Sequence, residues 1–283
     1  MKNIYLGKTT KPNIFKMKEQ SVIYQQRRIN YYLQGDVSKR TIVFIHGNSL
    51  SAKTFSEQFN GIKNIPLLAL DLPGHGLSEK ALSADKTYSI LGYIEVLKHV
   101  ISELQLTDFI LVGHSLGGHI VLEASEELDG LKGLVLFGSP PLGMPPEMDK
   151  AFLPNPAIPF LFKEQLSENE INLLCEALTD IEHKEKIKNE IQIADGDTRS
   201  FLAASFAKGQ FKNEIELIKN LSVPVAIIYG ENDSLISKQY LSELTIPTLW
   251  KKEIHLIKNA RHSPQMEQAN EFNKLISDFY YSI

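Results

Sequence analysis

The sequence predicts an α/β fold: a mostly parallel sheet flanked by helices, with a helical cap inserted over the sheet's carboxyl edge. Three observations predict it. Continuous apolar runs of strand length alternate with apolar stripes at helical spacing, the pattern of parallel strands buried on both faces. One of those runs turns abruptly into a helix through Gly113-x-Ser115-x-Gly117. A proline-rich stretch from Pro140 then breaks the alternation, and the strands resume only at Val223.

In chain order, Ser21–Tyr24 and Arg28–Leu33 are short runs of β-branched and aromatic residues, predicted to form an antiparallel hairpin. Thr41–Ile45 and Ile65–Leu70 are continuous apolar strands with a helical segment, Lys53–Phe59, between them; strand, helix, strand implies a parallel pair. Ile90, Leu91, Ile94, Leu97, Val100, Ile101 and Leu104 form one helical stripe in Tyr88–Leu104. The strand Ile110–Gly113, a helix over Leu116–Leu128 and the strand Gly133–Phe137 complete another strand-helix-strand unit. From Pro140 to Gly209 the pattern is irregular and then helical, with amphipathic pieces at Glu170–Leu178 and Phe201–Ala207. Val223–Tyr229, a helix at Lys238–Leu244, a strand at Glu253–Ile257 and a helix at Ala269–Tyr280 close the chain. The expected division is therefore a core over residues 1–139 and 210–283, with a cap over 140–209.

The chain has 283 residues, 43% of them hydrophobic, enough to bury a large core as one unit. A formal net charge of −4 with scattered lysines gives no basic footprint for nucleic acid. The single cysteine, Cys175, excludes an internal disulfide framework and fits a reducing compartment. Met1–Lys18 lacks the apolar segment of a secretory signal, and no run is long enough to span a bilayer. A cytoplasmic protein without membrane or nucleic-acid partners is expected. Composition is silent on oligomeric state.

The chemistry centres on Ser115. In Gly113-His114-Ser115-Leu116-Gly117 a serine stands between a strand and a helix, where flanking glycines let the two pass too closely for side chains. Such a turn lifts the hydroxyl above the sheet, which makes Ser115 the candidate nucleophile. The alternative is a turn serine or helix cap.

With this elbow and strand order, the chain resembles the α/β-hydrolase family along nearly its whole length. His46-Gly47-Asn48-Ser49 looks like the family's oxyanion loop, and Asp71-Leu-Pro-Gly74-His-Gly76 like the turn after its following strand. Gly230-Glu-Asn-Asp233 falls where the family carries its acid, and Asn259-Ala-Arg-His262 where it carries its histidine. The resemblance implies a triad of Ser115, Asp233 and His262 in the family's chain order. It also implies an oxyanion hole built from the backbone N–H groups of Asn48 and Leu116. Glu231 competes with Asp233 as the acid. For His46, His75, His114 and His119 a structural or cleft-lining role is expected, for Asp71 that of a turn former, and for Cys175 that of a buried, inert thiol. The apolar side chains Met144, Phe152, Phe160 and Phe206 are the expected lining of a substrate pocket under the cap.

A closer resemblance narrows the reaction. His46–Ser51, Asp71–Gly76, Ser115–Ile120, Gly138-Ser-Pro-Pro141 and Leu249–His255 together look like the α/β-hydrolase type of N-acyl-homoserine lactonase, which opens the lactone ring of bacterial quorum signals. In that group the residue before the nucleophile can be tryptophan where this chain has His114, and the acid can be glutamate where it has Asp233. The resemblance implies a small ester or lactone substrate and no cofactor or metal; the His-x-His-x-Asp-His cluster of the unrelated metal-dependent lactonases does not occur. Other readings of the same fold are a general carboxylesterase, a cofactor-free perhydrolase, a carbon–carbon bond hydrolase and, from a different class, a receptor that binds a small apolar ligand without catalysis.

Overall fold

A computed structural model describes residues 17–283, so the expectation drawn from Met1–Lys18 lies almost wholly outside the described residues. The sheet has eight strands: β1 (Lys18–Tyr24), β2 (Arg27–Gln34), β3 (Thr41–Ile45), β4 (Leu67–Leu70), β5 (Phe109–His114), β6 (Leu131–Phe137), β7 (Val225–Gly230) and β8 (His255–Ile257). Their order is β1-β2-β4-β3-β5-β6-β7-β8. The hairpin β1–β2 and the pair β2–β4 are antiparallel, and every other pair is parallel.

Side-chain alternation explains why the central strands read as unbroken apolar runs. Val43, Ile45, Leu68, Leu70, Leu111, Leu134 and Leu136 enter a core under the helices Ile90–Glu103 and Leu116–Ala124. Their neighbours Ile42, Phe44, Leu67, Ala69, Ile110, Val112 and Val135 enter the opposite core, against Phe55 and Phe59 and against Phe272, Ile276 and Phe279 of the helix Ala269–Ser282. Both faces are buried, so apolar residues fill both parities of these strands.

The boundaries differ from expectation where prolines and short turns intervene. β4 begins at Leu67 because Pro66 precedes it, lending its carbonyl to Ile42 N–H (2.9 Å). β7 begins at Val225, after Pro224, which has no N–H for the ladder but accepts from Leu134 N–H (2.9 Å). The last strand is only His255–Ile257, since Trp250–Lys252 forms a 3₁₀ turn with Lys251 at φ +52. Between β6 and β7 there is no strand. That segment holds the helices Glu168–Leu178, Lys184–Ile193, Gly196–Ala207 and Glu214–Asn220. Lys184–Ile193 carries no clear apolar stripe in the sequence, because in Lys-Glu-Lys-Ile-Lys-Asn-Glu-Ile-Gln-Ile the buried apolar residues reduce to Ile187 and Ile191. Among the described residues no helix is long and apolar enough to cross a membrane.

The loops at the carboxyl ends of β3, β5, β6, β7 and β8 carry Asn48, Ser115, Gly138, Asp233 and His262 respectively. In open parallel sheets this edge is where ligands bind.

One buried carboxyl in the helix Leu116–Ala124 gives the fold a pH dependence. Glu123 is fully buried, and no side chain hydrogen-bonds its carboxyl group. Burial pushes it up from 4.5 to about 8, the charge of Glu214 adding to the rise and Lys212 opposing it. The unfolded chain releases this proton near pH 4.5, whereas the folded chain holds it to about pH 8. Across that window the folded state binds the extra proton, so stability falls as pH rises, by up to about 1.4 kcal/mol per pH unit. Glu123→Gln removes this contribution. Urea unfolding of both proteins at about pH 5 and about pH 8 should show a smaller loss for the variant; equal losses would mean that Glu123 does not hold its proton.

Candidate active site

Ser115 follows β5 directly, with φ +51 and ψ −118. For a residue bearing a Cβ this backbone costs on the order of 1–3 kcal/mol and persists only where the surroundings enforce it. Ser115 N–H donates to Phe137 O of the neighbouring strand (2.9 Å), and its carbonyl accepts from Gly118 N–H (2.8 Å). The glycines make the turn possible. A Cβ on Gly117 would lie 2.2 Å from Ile45 O, and one on Gly113 would lie 2.4 Å from Gly117 O. The serine is left half-buried at the head of a helix.

Two buried side chains converge on the same edge. His262 Nδ1 and Asp233 Oδ2 are 2.8 Å apart, and Asp233 Oδ1 accepts from the N–H groups of Leu235 (2.8 Å) and Ile236 (3.3 Å). A carboxylate only accepts, so Nδ1 carries the proton and Nε2 is the basic nitrogen. Nε2 is buried and has no hydrogen-bond partner. The ring is seated on Gly138, at φ +60, where a Cβ would stand 2.8 Å from His262 Cε1. Gly138 follows Phe137, whose carbonyl holds Ser115, and His262 O is 2.8 Å from His114 Nε2, one residue before the serine. Glu231, two residues before Asp233, points elsewhere: its carboxylate accepts from Asn259 N–H (3.1 Å).

The loop after β3 is built around neutral histidines. His46 donates from Nδ1 to Gly47 O (2.8 Å) and accepts Leu72 N–H at Nε2 (3.0 Å). His75 donates from Nδ1 to Pro73 O (3.1 Å) and accepts Ser49 N–H at Nε2 (3.2 Å). Burial holds His46, His75 and His114 below the ordinary histidine range, so His46 and His75 keep the acceptor nitrogens that Leu72 N–H and Ser49 N–H require. Asp71 does more than form its turn: it accepts from Leu77 N–H (3.0 Å), Ala52 N–H (2.8 Å) and Asn30 Nδ2 (2.9 Å). Asn48 is tied across to the helical segment between β6 and β7, its Nδ2 donating to Leu161 O (2.7 Å) and its Oδ1 accepting from Ser49 Oγ (3.1 Å). Ser49 Oγ in turn accepts from Arg199 Nη1 (3.0 Å), while Arg199 also donates to the carbonyls of Lys163 (2.7 Å) and Glu164 (2.6 Å).

A narrow cavity lies beside the serine. Asn48, Ser115, Leu116, His119 and Gly138 form its floor, and Leu142, Met148, Phe152, Leu161, Phe162, Leu202 and Phe206 its walls. Of the four side chains expected to line it, Phe152 and Phe206 do. Met144 is not in the wall; it is 48% exposed in the loop after β6. Phe160 is not there either: in the 3₁₀ turn Ile158–Phe162 it is partly buried against the main core, while Leu161 and Phe162 line the cavity. His119 lines the cavity, one of the two roles the sequence leaves open for it. It stands four residues after Ser115, in the helix that the serine caps. Its Nδ1 meets both carboxyl oxygens of Glu214 (2.8 and 2.9 Å), and Glu214 Oε2 also accepts Leu142 N–H (2.7 Å). Cys175 is fully buried, and burial pushes its thiol up to about 11, as suits an inert side chain. No group of three or more potential metal ligands occurs among the described residues.

Residues 42–275 match the alpha/beta hydrolase family. The fold is similar to that of the N-acyl homoserine lactonase AidH solved with N-hexanoyl homoserine: TM-score 0.90, 26% identity, 94% of this chain and 97% of that one. A 2-hydroxy-6-oxononadienedioate/2-hydroxy-6-oxononatrienedioate hydrolase of Cupriavidus pinatubonensis is 26% identical over 258 residues, 84% of this chain and 86% of that protein. The esterase RhEst1 of Rhodococcus sp. ECU1013 shares the fold at TM-score 0.75 and 21% identity, over 94% of this chain and 99% of that one. The eight-stranded sheet and the match over residues 42–275 lead to one statement: the chain belongs to the alpha/beta hydrolase family.

Proposed function

We propose that the chain is a serine hydrolase of small carboxylic esters, and that its substrate is an N-acyl-homoserine lactone whose ring it opens. The observation that carries the first part is the buried, unpartnered Nε2 of His262, held as a base by Asp233 on the same sheet edge as a serine in a strained elbow. The second part is supported by the similarity to the lactonase AidH and by an apolar cavity suited to an acyl chain.

In this reading Ser115 Oγ attacks the ring carbonyl while His262 Nε2 takes its proton. Asp233 holds the tautomer and stabilises the imidazolium. The oxyanion is received by the backbone N–H groups of Asn48 and Leu116, preset donors that need no reorganisation as charge develops. Collapse breaks the ring C–O bond, and His262 returns the proton to the alkoxide, which stays tethered to the acyl group. Water, deprotonated by the same histidine, then releases the acyl-enzyme; one water is added overall. The amide is spared because its carbonyl is resonance-stabilised and its leaving group is an amine. The segment between β6 and β7 acts as a cap, its walls setting the accepted acyl length.

Mass spectrometry of the product tests the substrate. N-acyl-homoserine, one water heavier than the lactone and re-closing in acid, is expected. Free fatty acid with homoserine lactone would mean an acylase, and inert lactones beside rapidly cleaved simple esters would mean a general carboxylesterase.

Four variants test the machinery. Ser115→Ala should stay folded and lose on the order of 10⁶-fold in turnover. Asp233→Asn should lose on the order of 10⁴-fold by presenting the wrong tautomer, while Glu231→Gln stays near wild type; the reverse order would make Glu231 the acid. Arg199→Met frees Ser49 and, through it, Asn48. It should lower kcat by about 10- to 100-fold at nearly constant KM, since misplacing a catalytic group by an ångström has that scale of cost. An unchanged kcat would mean that the oxyanion loop holds itself.

A further inference from the structure

His119 is the one ionisable side chain in the walls and floor of the cavity, and nothing in the hydrolytic cycle uses it. It is not a solvated surface histidine: the residue is 7% exposed, and its partner Glu214 is 1% exposed. Glu214 is itself anchored, one oxygen accepting Leu142 N–H while both face His119 Nδ1. A carboxylate only accepts, so Nδ1–H is the donor, and in the neutral ring Nε2 is left as an acceptor. Nε2, the opposite edge, is then the acceptor left to the cavity. Around it stand Leu116, Leu142, Phe206 and other apolar side chains, none of which offers a polar alternative. An acceptor held at this expense among apolar walls is what recognition of a ligand donor requires, because a substrate lacking the donor leaves it unpaired.

Position limits where that donor sits on the substrate. His119 is four residues after Ser115, in the helix that the serine caps, about 6 Å along the axis, and both line the cavity. A carbonyl carbon at Ser115 Oγ and a hydrogen bond of about 3 Å at Nε2 leave room between them for one or two further bonds. An N–H or O–H on the carbon next to the reacting carbonyl meets this.

We propose that His119 is the specificity-determining residue of the site, its Nε2 accepting a hydrogen bond from an α-amido N–H, or an equivalent hydroxyl, of an ester or lactone substrate. The proposal deepens the lactonase reading and rests on Ser115 as the reacting centre, but it concerns binding and is testable without turnover. In the Ser115→Ala protein, calorimetry compares N-hexanoyl-homoserine lactone with its acyloxy analogue, in which oxygen replaces the amide N–H. The amide should bind about 10- to 100-fold more tightly, the worth of one buried hydrogen bond. His119→Phe in the same background should collapse that preference to near unity. His119→Gln, which keeps a carbonyl acceptor, should retain part of it. Equal affinity for the two ligands in the parent protein would overturn the proposal, with no variant involved and so no question of folding. A preference that survived in folded His119→Phe would also overturn it. Failure of the lactonase reading shows separately, as wild-type protein that binds the amide ligand selectively yet yields no ring-opened product.

Discussion

The structure depends on one close approach, the passage of β5 into the helix Leu116–Ala124 within van der Waals reach of the end of β3. A Cβ on Gly117 would lie inside the carbonyl of Ile45, so the helix seats on the sheet only because that side chain is missing. The same packing drives Ser115 to φ +51, an arrangement that a free chain would leave at once. Strain here is held by its surroundings: Phe137 O fixes the serine's N–H, and Gly138, the next residue along β6, opens the space against which His262 packs. Sheet packing and the placement of three candidate groups are therefore one problem.

Around that point, polar groups are buried in pairs whose roles are complementary. His46 and His75 each use one ring nitrogen as donor and one as acceptor, and burial keeps both rings neutral enough to do so. They shape the loop that bears Asn48. Arg199, 150 residues further along, completes the same loop from the opposite side through Ser49. The helices between β6 and β7 are thus connected to the loop after β3 by directional hydrogen bonds as well as by apolar contact, and the cavity wall and the candidate oxyanion donor are positioned together.

Much of the fold was legible because each physical demand leaves a residue-level trace. Two-sided burial writes Thr41–Ile45 and Leu67–Leu70 as unbroken apolar runs, and the tight elbow writes glycines at 113 and 117. Asp233 and Glu231 were harder to separate, being acids two positions apart in one loop. Only the folded loop turns one carboxylate to His262 and the other to Asn259 N–H. Arg199 left no trace, since the amphipathic reading reaches only Phe201–Ala207, whereas the helix runs from Gly196, buries the polar Thr198, Arg199 and Ser205 beside Leu202, and finds its partners in distant segments. The cavity wall was half legible. Side-chain type suggests an aromatic lining, but whether Phe160 or Phe162 faces inward depends on the phase of a short 3₁₀ turn.

The central claim is that Ser115 is a nucleophile activated by His262. A fluorophosphonate, which reacts only with an activated serine and leaves a stable adduct, tests it most directly. Intact-mass analysis of the folded protein should show a single adduct, peptide mapping should place it on Ser115, and His262→Ala should suppress it. A folded wild-type protein that takes up no label, or takes it up at another residue, would contradict the account.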